Sequence, residues 1–360
     1  MTMKRCRAVS VAATVLLGCF LSASAQVNAT QRAGFNLPQG QVPAPNTPGG
    51  GVVVGNNFYA SDAVNGFRHY KPANPGNPDP INSGDLVFDG DTSRSLGGTS
   101  LCVLFCHVGQ IAYDGNTTVY VAAYDHAKGQ KGSLTFPGVW RISIDQISGV
   151  VTPSALLVPN AGLAGNQPTS IALGPDGNLY VGFLKNGNVV RIVDPTLDPS
   201  DKRQIVQSVG TAPNGSPVRS LAFAGTNLYL GTSTGLAVIK NAVASTCLGG
   251  CNGVAISDGF SGTAHVGVSS DGLNRIYMAV NGQGVWRYTI STGATHLVAT
   301  GGVNPDTGVQ STFAFVGGNS NLVMLDRLGN LWVGDDTSDG NLNFSGRIWY
   351  ISAGSLASIP

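Results

Sequence analysis

The sequence predicts an all-β fold made of one repeated four-stranded unit, and three observations carry that expectation. Among 360 residues there are 19 Asp and no Glu, only seven Lys, and 50 Gly, and 11% of the chain is charged. Such a chain lacks the residues that cover helix surfaces, which excludes a helical bundle and disfavours an α/β fold. A short phrase recurs along the chain: an apolar strand, a turn rich in Asp, Gly or Asn, a strand centred on an aromatic, then a strand opened by Gly. Between the phrases the helical period is missing, and another short apolar run takes its place. At 42% hydrophobic the chain is too apolar for disorder and long enough to bury a large core.

Taken in order, the chain opens with Lys4, Arg5 and Arg7, an apolar run from Ala8 to Leu21, and Ala23-Ser24-Ala25. A basic start, an apolar stretch too short to span a bilayer and an A-x-A site predict an export leader over 1–25, cleaved before Gln26. The exported product is then periplasmic or extracellular. Leu16-Leu17-Gly18-Cys19 offers the alternative of a lipid anchor at Cys19, which Leu17, an uncommon residue at its place in such a motif, disfavours. No later stretch holds 18 apolar residues in a row, so no transmembrane segment is expected. Loss of the leader turns the formal charge from +1 to slightly acidic. The dispersed basic residues argue against nucleic-acid and membrane-surface partners.

Residues 26–50 read as a closing strand followed by a linker, with PQGQVPAPNTPGGG at 38–51 as the Pro/Gly-rich part. The repeated region is 51–360. Its central aromatics are Tyr59, Tyr120, Tyr180, Tyr229, Tyr277 and Trp332, 48 to 61 residues apart. The strands after them are GFRHY, GVWRI, GNVVRI, GLAVIK, GVWRYTI and GRIWYI, and the fourth runs are LVF 86–88, LLV 156–158, IVQSV 205–209, VAI 254–256 and HLVAT 296–300. Four short strands in each of six units give a six-bladed β-propeller. The sixth unit stops after its third strand, Arg347–Ile351, so Thr30–Leu37 is expected to supply its outer strand and close the ring.

The phrase PTSIALGPDGNLYVGFLKNGNVVRI resembles an NHL repeat, and 51–351 resembles the superfamily of six-bladed propellers that includes gluconolactonase-like enzymes. The resemblance implies a fold on which many activities are built. It also implies, for the gluconolactonase-like members, a catalytic cation with a Glu among its ligands. A chain without Glu cannot reproduce that site in its usual form.

In such a fold the loops entering each inner strand and those joining strands two and three share one face. Gln110, Ser170, Ser220, His265 and Asn321 each precede an apolar residue at the start of an inner strand, which suggests a polar ring at the channel mouth. These groups would hold a ligand, bind channel water or cap backbone amides. The same face gathers Asp62, His107, Asp125, His126, Asp335 and Asp336, donors suited to a divalent cation: carboxylates to Ca²⁺, imidazoles to Zn²⁺. Against this stands the ordinary use of Asp in turns. Arg141, Arg191, Arg287 and Arg347 recur in third strands and are expected to pair with turn Asp residues.

The four cysteines beyond the leader form two close pairs, Cys102/Cys106 and Cys247/Cys251, read as two local disulfides in an oxidising compartment. Cys102-Val-Leu-Phe-Cys106-His107 resembles a c-type haem attachment site with one extra residue, but two matching pairs favour disulfides over haem. No Gly-x-Ser-x-Gly elbow, phosphate loop, dinucleotide fingerprint or HExxH is present. The leading functional reading is therefore a module that binds an unidentified small molecule or protein through its channel face. The second is a metal-dependent hydrolase or lyase with an atypical Asp/His site.

Overall fold

The computed structural model describes residues 27, 29–34, 48–55, 57–62, 66–72, 81–88, 108–123, 138–146, 151–152, 156–159, 167–247, 250–303, 308–315, 322–338 and 344–360. The architecture is a β-propeller. Strand β1 (Ala29–Gly34) precedes five sheets that are meanders of consecutive segments. The first sheet holds β2 (Pro48–Val54), β3 (Asn57–Asp62), β4 (Gly66–Pro72) and β5 (Ile81–Phe88). The second holds β6 (Val108–Tyr113), β7 (Thr118–Ala123) and β8 (Gly138–Ile144), with β9 (Val151–Thr152) and β10 (Leu156–Pro159) both paired to β8. The third is β11 (Pro168–Leu173), β12 (Leu179–Phe183), β13 (Asn188–Ile192) and β14 (Val206–Thr211). The fourth is β15 (Val218–Ala224), β16 (Asn227–Thr232) and β17 (Gly235–Ile239). Its chain then leaves to lay β18 (Cys251–Asn252) parallel to β14, and returns as the outer strand β19 (Val254–Ala255). The fifth is β20 (His265–Ser270), β21 (Arg275–Val280), β22 (Gly284–Thr289) and β23 (Ala294–Ala299).

The sixth sheet is a composite. A hairpin of β24 (Gly301–Val303) and β25 (Gln310–Thr312) precedes β26 (Val323–Leu325), β27 (Leu331–Ser338) and β28 (Phe344–Ile351). In that sheet β1 lies antiparallel to β28, with Thr30 opposite Tyr350, and parallel to β24, with Ala29 opposite Gly302.

The recurring phrase has a local physical cause. In the third sheet Asp176 accepts the Asn178 amide at 3.2 Å, and Gly177 takes φ +76°, a left-handed conformation that suits glycine. The other carboxylate oxygen of Asp176 accepts the Tyr180 hydroxyl at 2.9 Å, so one turn residue also satisfies the polar end of the central aromatic. Asp326 does the same in the sixth sheet, taking the Asn330 amide at 2.9 Å and the Trp332 indole at 3.1 Å. Second strands lie between neighbouring sheets and are buried on both faces; β12 is buried throughout. The core is accordingly divided into layers. One packs Tyr120, Val139 and Leu157 of the second sheet against Ile171, Leu179 and Phe183 of the third. Each such side chain contributes roughly 1.5–3 kcal/mol on burial.

Several features depart from the sequence reading. Pro48–Gly51, assigned to the linker, belong to β2, because Gly51 must lie directly on Phe58 and Leu322. Strands β9, β18, β24 and β25 are too short to show an alternating pattern. After β28 the chain forms α1 (Ala353–Ala357), capped by the Ser352 hydroxyl, which accepts the Ser355 amide at 3.2 Å. Leu356 and Ile359 anchor this end in the core. Among the described residues no helix is long and apolar enough to cross a membrane.

Candidate functional site

The inner strands β2, β6, β11, β15, β20 and β26 surround a central channel of about 300 Å³. Each is paired on one edge to its second strand, so unpaired backbone groups of the other edge face the channel. Among the described residues that line it there is no charged side chain. Polar side chains come from Gln110, Tyr113, Ser220, Ser269 and Ser270.

Strand register defines one equivalent ring of positions across the inner strands. In every sheet the residue after the central aromatic faces an inner-strand partner: Ala60 with Gly51, Val121 with Ile111, Val181 with Ile171, Leu230 with Leu221, Met278 with Val268 and Val333 with Val323. The residues just before those partners form one equivalent set: Gly50, Gln110, Ser170, Ser220, Gly267 and Leu322. Gln110, Ser170 and Ser220 thus fall where the sequence puts them. His265 does not; it sits two residues earlier, level with Val218 and Pro168, and Gly267 holds the ring position. The apolar neighbour Val266 misleads, because an irregularity in the pairing separates His265 from Gly267. Leu322 occupies the sixth place, and Asn321 lies outside the described residues.

The side chains at this ring engage backbone. The Ser220 hydroxyl accepts the Val268 amide at 2.9 Å and donates to the Val268 carbonyl at 3.3 Å. Beside the ring, Ser61 of β3, opposite Gly50, donates to the Gly109 carbonyl at 2.7 Å. The Gln110 carboxamide accepts the Leu221 amide at 2.8 Å and donates to the Leu221 carbonyl at 2.7 Å, and its oxygen also accepts the Ile171 amide at 3.2 Å. One side chain of the second sheet therefore ties the third and fourth. The Ser170 hydroxyl is buried and has no partner among the described residues.

His265 anchors the loop over the fourth sheet. Its Nδ1 faces the Thr263 carbonyl at 3.0 Å and its Nε2 faces Asp258 Oδ2 at 2.6 Å, both fully buried. A carbonyl oxygen only accepts, so Nδ1 carries a proton. Burial raises the Asp258 carboxyl, but the hydrogen bonds from His265 and from the Phe260 amide outweigh it and hold the group below the ordinary carboxylate value.

Asp335, offered by the sequence as a metal donor, is enclosed. It accepts from both Nε and Nη2 of Arg347, from the Trp349 indole at 3.0 Å and from the Ala314 amide at 3.0 Å. Burial pushes its carboxyl upward against these partners. Asp336 follows it in β27, opposite Gly346, and Asp62 ends β3, opposite Gly66. His107, Asp125, His126, Cys102 and Cys106 lie outside the described residues. Among the described residues no three His, Cys or Asp side chains gather as metal ligands.

Cys247 and Cys251 form a disulfide with Cα atoms 5.0 Å apart, pinning the excursion that carries β18. Of the third-strand arginines, Arg191 lies 3.6 Å from the turn residue Asp176, as expected. The others take different partners: Arg141 donates to the Pro195 and Leu197 carbonyls, Arg287 to the Ile359 carbonyl, and Arg347 binds the strand residue Asp335.

No family profile matches the chain, and no curated protein matches it. Many solved structures do. A luciferin-regenerating enzyme is 12% identical, with a TM-score of 0.51 over 86% of this chain and 92% of its own. An auxiliary nutrient binding protein from Bacteroides thetaiotaomicron is 13% identical, with a TM-score of 0.50 over 85% of this chain and 70% of its own. Against the extracellular domain of a one component system from B. thetaiotaomicron, 14% identical at a TM-score of 0.46, this chain spans 32% of the length. At these identities the similarity shows the β-propeller fold alone, the architecture shared with the gluconolactonase-like proteins that the sequence resembles.

Proposed function

We propose that the protein is an exported, six-bladed propeller that binds an uncharged small molecule or a protein segment through its channel face without catalysing a reaction. In this reading the composite sheet is the sixth blade, and β1 is the strand that closes the ring. The pairing of Thr30 with Tyr350 supports that closure. The observation that carries the functional reading is the channel lining, where described side chains are uncharged. A hydrolase or lyase of the gluconolactonase-like kind needs carboxylates or imidazoles turned toward one ion, and Asp335 is consumed by Arg347, Trp349 and Ala314.

The test begins with metal analysis and an absorption spectrum of the purified exported form. D-Glucono-δ-lactone hydrolysis is then assayed with added Ca²⁺ or Zn²⁺, and thermal shifts are measured against neutral sugars, amides and peptides. The binding reading expects substoichiometric metal, no Soret band, no hydrolysis, and stabilisation by an uncharged compound. One tightly held Ca²⁺ or Zn²⁺ per chain together with hydrolysis would establish the catalytic alternative, with Asp62, His107, Asp125, His126 and Asp336 as its remaining donors.

A further inference from the structure

We infer that Arg287, in the seam between the fifth sheet and the segment after β28, anchors a binding site for a small oxyanion, a carboxylate or a phosphate, which seats on its Nε and Nη2 edge. Arg287 lies on the third strand β22, outside the channel lining, so the site does not depend on the channel-binding reading.

The third-strand arginines of the other sheets show what this edge takes. Arg191, Arg287 and Arg347 are all buried, and a buried guanidinium is a fixed charge that needs acceptors. Arg347 presents Nε and Nη2 together to Asp335, which faces it on β27. Arg191 presents the same two nitrogens to Gln207 Oε1, at 3.1 and 2.6 Å, and Gln207 faces it on β14. In both sheets the edge receives an oxygen acceptor.

Arg287 has the burial without that acceptor. It is 3% exposed, its Nη1 donates to the Ile359 carbonyl at 3.1 Å, and its buried Nε has no partner among the described residues. Nη1 lies on the opposite side of a guanidinium from the Nε–Nη2 edge, so Ile359 does not serve that edge. The residues facing Arg287 in register are Tyr277 on β21, where the sixth sheet has Asp335, and His296 on β23, where the third has Gln207. Asp271, the turn carboxylate of this sheet, is spent within its own hairpin, where one oxygen accepts the Leu273, Asn274 and Arg275 amides. Among the described residues no carboxylate forms an ion pair with Arg287.

Burial lowers the pKa of the guanidinium; the Tyr277 phenol opposes that, and the positive charge of Arg275 reinforces it. A guanidinium nevertheless keeps its proton, so the cost of burying it is met by an anion brought to it. Arg275 is exposed and His296 half-buried, and they mark the side from which the anion enters. Two in-plane N–H groups match two oxygens of a carboxylate or phosphate, and a second arginine at the rim adds attraction.

The test compares the full exported chain in acetate, phosphate and chloride at equal ionic strength, by isothermal titration and by unfolding midpoint, for wild type, Arg275→Gln and His296→Gln. Wild type is expected to bind acetate or phosphate saturably, one per chain, and to unfold at a higher temperature in that salt than in chloride. Arg275→Gln should weaken the affinity about two- to fivefold. His296→Gln puts a carboxamide where Gln207 stands against Arg191; it should raise the midpoint in chloride and weaken the anion about tenfold or more. Preference for acetate assigns a carboxylate, preference for phosphate assigns a phosphate, and equal binding a site for either. Equal midpoints in all three salts, with no saturable binding, overturn the site. An anion response that His296→Gln leaves unchanged also overturns it, the anion then being an adventitious ion only; if that variant does not fold, Arg275→Gln decides in the same way. The channel lining takes no part in these outcomes, which leave the channel-binding reading as it stands.

Discussion

Replacing Asp335 with Ala separates two roles for that carboxylate, anchor and metal ligand. The group is fully buried and accepts from Arg347 through two nitrogens, from the Trp349 indole at 3.0 Å and from the Ala314 amide at 3.0 Å. Removing it leaves the Arg347 guanidinium, only 2% exposed as a residue, buried without its carboxylate. Breaking a buried pair from one side costs about 3–5 kcal/mol. The indole and the amide belong to the same network, so their losses do not add as independent terms. With about 2.1 cal/mol/K of unfolding entropy per residue, a chain of 360 residues loses about 1.3 °C of Tm per kcal/mol, so a loss of about 4 kcal/mol lowers Tm by roughly 5 °C. Urea unfolding followed by tryptophan fluorescence measures the change, with metal content determined on the same preparation. In the double variant Asp335→Ala with Arg347→Met, part of the loss should return, because no charge is then stranded. A loss below about 1 kcal/mol would refute the anchoring argument. So would the disappearance of bound Ca²⁺ or Zn²⁺ at unchanged stability.

Four further outcomes are expected. Asp258, held below its ordinary value, contributes stability that is present above pH 3.8 and lost as pH falls through the depressed folded value, so Asp258→Asn should flatten the acid limb of a stability profile. Burial pushes the Tyr59, Tyr120 and Tyr180 phenols to about 12, so their stabilisation is complete below pH 10 and disappears between about 10 and 12; ultraviolet titration should show phenolate forming there together with unfolding. Substituting both Cys247 and Cys251 with Ser opens a loop of sequence separation 4 and should cost about 2 kcal/mol in chemical denaturation. Gly109→Ala places a Cβ 2.8 Å from the Thr169 carbonyl carbon and 3.1 Å from its Cα, and should destabilise by about 1–3 kcal/mol or more as the second and third inner strands are forced apart.

Local chemistry made much of this architecture readable in the sequence. Tyr120 and Tyr180 mark second strands because those strands are covered on both sides, and the Asp-Gly-Asn turns mark the hairpins because Asp176 and Asp326 each satisfy a turn and an aromatic at once. The ring at the channel was legible only in part. Counting from an apolar neighbour placed His265 at the mouth, whereas counting back from the central aromatic through the strand pairing finds Gly267. The partnership of Gln110 with Leu221 leaves no pattern in the chain, since it depends on a side chain crossing between strands far apart in sequence. The fate of Asp335 was hidden for a related reason. A carboxylate in a sequence carries no sign of whether a facing strand, here β28, will bring an arginine against it.

The composite sheet sets the order in which the molecule can be finished. Five sheets draw on neighbouring stretches of chain and can pair soon after they emerge, but the last one joins Thr30 to Tyr350. Closing so long a loop is slow, and until it happens β28 presents an unpaired edge to any strand that will take it. β1 is made well before β28, so this pairing forms only after the intervening sheets have emerged. A second chain can offer its own β1 during that interval, which makes exchange of the N-terminal strand between molecules the expected error of refolding at high concentration.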